Sequence, residues 1–212
     1  MNTILIAIIV ANVLVSYKGF NDISFFRKYE FHMGSVRAGD QIRILSSGFL
    51  HADFGHLIFN MITLYFFAPV VIAYLGSISF LIIYFGSLIF GSLLTIVFHK
   101  NDYNYRAIGA SGAVTGVLYS AILLQPDMML GIFFIIPMPA YVFGILYLLY
   151  SIYGMKAKND NIGHTAHFGG AIGGYIITLA SSPHLLVDNT LMVLLLTFPI
   201  VVLFIMAKMG KI

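Results

Sequence analysis

The stretch GHTAHFGGAIGG, residues 163–174, packs two histidines and five glycines into twelve residues. His167, Gly170 and Gly174 stand at i, i+3 and i+7, so on a helix they share one face. A second stretch, GASGAVTG at 109–116, sets Ser111 between Gly109 and Gly112 at the start of another apolar run. Gly109 lets the chain turn tightly, and Gly112 lets another backbone approach. Gly112 with Gly116, and Gly170 with Gly174, are both G-x-x-x-G pairs, the spacing by which two helices come into close contact in lipid. We therefore expect these two helices to pack along their glycine faces and to carry Ser111 towards His167. A third stretch, HADFGHLIFN at 51–60, puts His56 and Asn60 four apart and hence on one helix face.

The rest of the chain says where these helices lie. Of 212 residues, 60% are hydrophobic and 9% are charged, against about 25% charged in an ordinary soluble domain. That much apolar surface assigns the chain to the membrane class. No cysteine is present, which excludes disulfides and thiolate metal sites. A formal charge of +3, scattered along the sequence, argues against a nucleic-acid surface. The apolar start, Ile4 to Val15, lacks a basic flank and a small-residue cleavage site, and reads as a retained, rather short first helix. Spans are expected near 2–16, 55–75, 78–98, 111–125, 139–154, 164–181 and 190–207. The fourth is short and rich in Gly, Ala, Ser and Thr, which places it at the centre of the bundle. The long first connection, 17–54, mixes Phe20, Phe25, Phe26, Phe31 and Phe49 with charged residues and reads as an amphipathic interfacial element. Residues 126–138, with Pro126, Gly131 and Pro137, read as a buried non-helical connection. The whole chain, 1–212, is read as one integral membrane domain.

All eight acidic and all eleven basic residues fall in connections, span edges or tails. Polar groups left inside the spans are costly in lipid unless partnered, which singles out the three stretches above. A serine hydroxyl needs a base to become a nucleophile, and histidine is the usual one. Acyl transfer also needs donors for the developing oxyanion. The backbone N–H of Ser111 at a helix N-terminus is one candidate, and the side chains of His56 and Asn60 are two more. With no carboxylate inside any span, the expectation is a Ser111–His167 dyad with no metal and no cofactor. Each piece alone has a plainer reading. A lone G-x-S-G is most often a turn, a lone intramembrane histidine most often bonds a neighbouring helix, and glycine faces are usually packing devices. His51 reads as a residue at a span end, His164 as a cap of the sixth helix, and His32, His99 and His184 as loop residues. The conjunction of H-x-x-x-N, G-x-S-G and A-H-x-x-G-x-x-x-G on three separate spans is what points to chemistry.

FLHADFGHLIFNM, IGASGAVTGVL, IPMPAYVFGILYLLYSIYG and GHTAHFGGAIGGY together resemble the rhomboid family of intramembrane serine proteases, over roughly Gln41 to Tyr175 with the first span also fitting. The resemblance implies an all-α polytopic transmembrane bundle. Its six-helix core, about 1–182, surrounds a water-filled cavity that opens outward. It implies Ser111 as nucleophile, His167 as general base, and His56 and Asn60 as oxyanion donors. Substrates would be single-span membrane proteins in the lipid bilayer, with access gated by the fifth helix and the loop after it. A bacterial cell membrane with the site facing outward is the implied setting. Two departures stand out. The family often has a Trp-Arg pair in the first loop, whereas here Arg43 follows Ile42 and the chain has no Trp. The position four after the serine is often an aromatic that supports the histidine, whereas here it is Thr115. The run 190–207 lies beyond the six-helix core and reads as an appended seventh helix, either spanning or lying on the surface.

Charge and resemblance disagree over orientation. The expected spans put all eleven Lys and Arg on one side, which the positive-inside tendency would make cytoplasmic, while the resemblance turns that side outward. The family orientation is preferred, because the site pattern is specific and the charge rule statistical, and five of the eleven lie in the long first connection, where an interfacial element would hold them at headgroups. Two other classes compete. A non-proteolytic membrane-protein binding or chaperone module on the same scaffold would need neither Ser111 nor His167, yet both are present. A transporter would place ionisable side chains along a midplane path, which these spans lack. Zinc and aspartyl intramembrane proteases fit poorly, since the sequence has no H-E-x-x-H and no paired intramembrane aspartates.

Overall fold

The computed structural model describes residues 2–132, 136–157 and 162–212. It is a polytopic bundle of apolar helices. The first helix, Thr3–Asn21, begins where the Asn2 side chain accepts the N–H groups of Ile4 and Leu5. Its 19 residues give about 28 Å, so it is a full-length span, longer than the run of apolar residues suggests: its last turns are polar but still helical.

The second and third spans form one continuous segment, Phe54–Phe98, that reverses at Gly76. Gly76 adopts φ 82°, a left-handed conformation that costs glycine little and other residues much. Asp53 caps the segment by accepting the His56 N–H at 2.8 Å. The next helix, Ser111–Leu124, has only 14 residues, about 21 Å, too short to cross a layer of about 30 Å alone. Every residue from Gly112 to Leu124 is buried, so it forms the centre of the bundle, as its small side chains suggested. Ala140–Ala157, His164–Ser181 and Thr190–Lys208 follow. The last of these packs on the bundle, where Tyr175 donates to the Val193 carbonyl at 3.1 Å and meets Thr197 at 2.7 Å.

The first connection folds into short helices, Ile23–Tyr29, Met33–Arg37 and Arg43–Ser46, and strand β1, Phe31–His32. It is pinned to the loop before Ser111 by antiparallel pairing of β1 with β2, Arg106–Ala107. Glu30, nearly inaccessible, receives Arg27 and Arg106. Arg43 is buried, pairs with Asp40 at 2.6 Å and donates to the carbonyls of Arg27 and Glu30. Arg43 is thus an internal tie of the first connection.

The connection 126–138 is non-helical, as expected, with β3 (Met129–Ile132) paired antiparallel to β4 (Ile136–Pro139), but Met129 is 55% exposed where burial was expected. The prolines have no N–H to give to a helix, so the chain here runs extended and pairs as strands. Residues 133–135 of that connection, and 158–161 of the loop after the fifth expected span, lie outside the described residues.

The core is set by glycine contacts. A methyl built on Gly170 would land on the Gly112 carbonyl, and one on Gly174 on the Gly116 carbonyl. The opposite side of the same helix is as tight: a methyl on Gly169 would sit 2.6 Å from the Phe90 carbonyl oxygen. Backbone meets backbone here, so no side chain can yield. Gly170→Ala is expected to lower the unfolding free energy in detergent by at least about 1–3 kcal/mol, the usual cost of overpacking. Leu194→Ala, on the exposed side of the last helix, should leave the unfolding midpoint nearly unchanged.

Candidate active site

Ser111 and His167 begin their respective helices within one turn of each N-terminus, and the glycine contacts register the two. The Ser111 Oγ lies 2.6 Å from His167 Nε2. His167 is buried. Its other ring nitrogen, Nδ1, lies 2.8 Å from the Tyr147 hydroxyl, and the two rings run nearly parallel with centroids 5.7 Å apart. Thr115 donates to the Ser111 carbonyl at 2.7 Å, one turn back.

Gly109 precedes the serine with φ 117°, a turn that delivers the chain into the helix. A methyl there would stand 2.7 Å from His56 Cε1 and 3.6 Å from Ser111 Oγ, so the His56 ring packs against Gly109 in the turn that leads to the serine. His56 Nδ1 faces the Ala52 N–H at 3.5 Å, which leaves Nε2 to point a proton towards the Gly109–Ser111 turn. Asn60, buried one turn along, donates one amide hydrogen to the His56 carbonyl at 2.9 Å. The Ser111 N–H, first in its helix, has no carbonyl partner within that helix. A small cavity lies behind the serine, lined by Ser47, Ser92, Thr95, Gly112 and Ala166.

Each residue singled out in the sequence therefore has a definite place. Ser111, His167, His56, Gly109 and Thr115 come together, with Asn60 behind His56. Gly112, Gly116, Gly170 and Gly174 form the interhelical seam, and Arg43 lies apart in the first connection. His164 is no cap: Gly163 holds the cap position without a side-chain bond. Instead its ring is buried against Tyr150 and the Gly154 backbone. Tyr147 went unnoticed because a tyrosine in an apolar run looks like any lipid-facing aromatic. Asn12 and Ser16, buried in the first helix, were likewise missed; Asn12 donates to Tyr84 at 3.1 Å.

Over the matching stretch, the chain fits the model of the Rhomboid domain at residues 38–184. It is 33% identical over 145 residues to the Putative rhomboid protease YdcA of Bacillus subtilis, covering 68% of each chain. The chain belongs to the rhomboid family. It is also 28% identical over 185 residues to the RHOMBOID-like protein 12, mitochondrial, of Arabidopsis thaliana. To the Rhomboid protein 1, mitochondrial, of Saccharomyces cerevisiae it is 30% identical over 141 residues. It spans 55% of the Arabidopsis protein's length and 40% of the yeast protein's. As a rhomboid family member it is an integral, multi-pass membrane protein, and family resemblance supports a protease.

His51, expected at a span end, is fully buried. Its Nε2 accepts the Ala110 N–H at 3.3 Å, so Nδ1 carries the proton and donates to Ser16 at 2.8 Å. Ser16 in turn donates to the Phe49 carbonyl at 2.9 Å. This chain of bonds ties the first helix to the turn that presents Ser111. Burial, and then the neighbouring His56, push the His51 imidazole down to about 3. An unfolded histidine titrates near 6.5, so below that pH unfolding takes up a proton. The stabilisation is present above about 6.5 and is lost as pH falls towards about 3, at up to about 1.4 kcal/mol per pH unit. Thermal unfolding in detergent between pH 7.5 and 4.5 should show this loss, and His51→Gln should flatten the slope.

Proposed function

We propose that this chain is an intramembrane serine endopeptidase whose nucleophile is Ser111 and whose general base is His167. The observation that carries the reading is the 2.6 Å separation of Ser111 Oγ from His167 Nε2, at the point where two helices meet glycine on glycine. In this mechanism the Ser111 proton passes to Nε2 as Oγ attacks the scissile carbonyl carbon. The carbonyl oxygen gains negative charge facing the His56 Nε2–H, the Ser111 N–H and the Asn60 amide. His167 then returns its proton to the leaving amine, and a water activated by the same imidazole hydrolyses the ester. Neutralising no buried carboxylate, a dyad avoids a third charged group inside lipid, which would be costly there.

The substrates in this reading are single-span membrane proteins. They enter from the lipid and unwind locally to offer an extended peptide bond, because a helical carbonyl is already bonded and shielded by its neighbours. The entire chain acts as one membrane domain, with the last helix, Thr190–Lys208, appended to a core of about 1–182. The site lies at the end of the bundle that carries the first connection and the 99–110 loop. We assign that end to the outer face of a bacterial cell membrane, the family orientation, in line with the Bacillus subtilis relative. Protease access to the 99–106 loop from inside the cell alone would overturn the orientation.

Ser111→Ala and His167→Ala are each expected to reduce cleavage of a membrane-anchored reporter by at least about a thousandfold without shifting the unfolding midpoint downward. Wild-type protein in lipid should be labelled at Ser111 by a fluorophosphonate, and His167→Ala should not. Reporter cleavage that persists in Ser111→Ala would sink the assignment.

A further inference from the structure

We propose that the strand pair β3–β4 is an interfacial membrane element, whose outer face lies among the acyl chains just below the headgroups of the leaflet opposite the serine. The inference stands apart from the protease reading and needs only that the chain spans a bilayer.

The chain between the serine helix and the next span reads MMLGIFFIIPMP at 128–139. No Asp, Glu, Lys or Arg occurs from Met128 to Met155. The helix Ala140–Ala157 has 18 residues, which gives about 27 Å and nearly covers a hydrocarbon layer of about 30 Å by itself. The strands that precede it in the same uncharged run therefore sit at the margin of that layer. Gln125 and Asp127, both exposed, mark the polar edge beside them. Side chains alternate between the two faces of a strand pair. Met128, Leu130 and Met138 form the half-buried face, with Met128 and Leu130 packed on the core. The opposite face is Met129, Gly131, Pro137 and Pro139, on which Met129 is 55% exposed and Gly131 and Pro137 are exposed as well. An antiparallel pair with one face in water carries polar residues on that face. This one carries none, and what meets it is lipid.

The backbone suits the same place. Met128 accepts the Ala140 N–H at 2.8 Å, and the register pairs Leu130 with Met138 and Gly131 with Pro137. Bonded and open pairs alternate along an antiparallel ladder. Leu130–Met138 thus falls on a bonded pair, while Met129–Pro139 and Gly131–Pro137 fall on open ones. At an open pair the N–H points away from the partner strand, and at 137 and 139 proline has none. The outer edge of β4 therefore offers no donor at the two positions where one would lack a partner in lipid. The same prolines deny an added strand the donors it would bond, which argues against a partner protein pairing along that edge. The short helix Leu185–Asp188 lies at the same end of the bundle, where Asn189 donates to the Leu123 carbonyl at 3.2 Å. It carries Val187, 80% exposed, and the last helix opens with Leu191, 71% exposed. Two separate elements thus present apolar side chains around one end, continuous with the lipid-facing surface of the spans.

The chain has no tryptophan and no cysteine, so single reporters can be read without background. The full chain is placed in bilayer discs of phosphatidylcholine, with and without bromine on the upper part of the acyl chains, as Met129→Trp, Leu194→Trp and Lys100→Trp. Leu194, 62% exposed near the start of the last helix, is the lipid reference, and Lys100, exposed in the polar loop before the serine, is the water reference. Brominated lipid should quench Met129→Trp at least about half as much as Leu194→Trp and at least about threefold more than Lys100→Trp. Weaker quenching overturns the proposal, and acrylamide reaching the indole as freely as in Lys100→Trp would then put the strands in water. Quenching that is present in discs holding one copy and lost in discs holding two assigns the face to a second copy and overturns it equally. Should Met129→Trp fall short of the wild-type unfolding midpoint, Met129→Cys takes its place. A water-soluble maleimide should modify it at least about tenfold more slowly than Lys100→Cys, and a smaller difference overturns the proposal. No readout involves cleavage, so the failure of the protease reading would leave this test intact.

Discussion

Two helix backbones in direct contact govern everything else in this molecule. Gly112 and Gly116 on one helix face Gly170 and Gly174 on the other, so closely that carbonyl oxygens occupy the space a methyl group would need. In lipid there is no hydrophobic drive to press helices together, because the acyl chains are as apolar as the side chains. What remains is dispersion between closely apposed backbones and the hydrogen bonds such closeness permits. The glycine seam supplies that closeness and sets the register in which residue 111 of one helix meets residue 167 of the other.

From that seam the polar architecture follows. A serine, two histidines, an asparagine, a threonine and a tyrosine are collected at one end of the bundle, and each is satisfied by another member or by backbone. None is a carboxylate, a lysine or an arginine. That suits a low-dielectric setting, where an isolated charge would be expensive and a hydrogen-bonded neutral network is held rigidly. The His51–Ser16 relay works the same way on the far side of the serine turn. It uses a neutral imidazole as a two-ended connector between the first helix and the Ala110 N–H.

The first connection braces this end of the bundle. Its buried Glu30 gathers Arg27 and Arg106, and Arg43 closes the turns around it. Through β1 and β2 it clamps the loop that leads into Ser111. Much of the positive charge on this side is therefore committed to internal ion pairs and carbonyls. That offers a physical reason why a count of Lys and Arg alone is a weak guide to orientation here.

Membrane class, the number of apolar helices and the glycine faces were all legible in the sequence. Each depends on local composition or on a helical repeat: apolar runs of span length, and glycines at i, i+4 whose shared face is fixed by 3.6 residues per turn. The residues of the serine turn and of the histidine helix were legible for the same reason, as was the belonging to a known family. Tertiary structure alone decided what no single helix encodes. It put Tyr147 against His167 from a third helix, buried His51 as a tie and not an end residue, and lodged His164 in a pocket instead of at a cap. It also paired part of the expected connection at 126–138 as two strands and left Met129 among them exposed. A side chain's partner across a bundle depends on the rotation and depth of a neighbouring helix. Those are set by close packing of the whole bundle, and so lie beyond any periodicity within one segment.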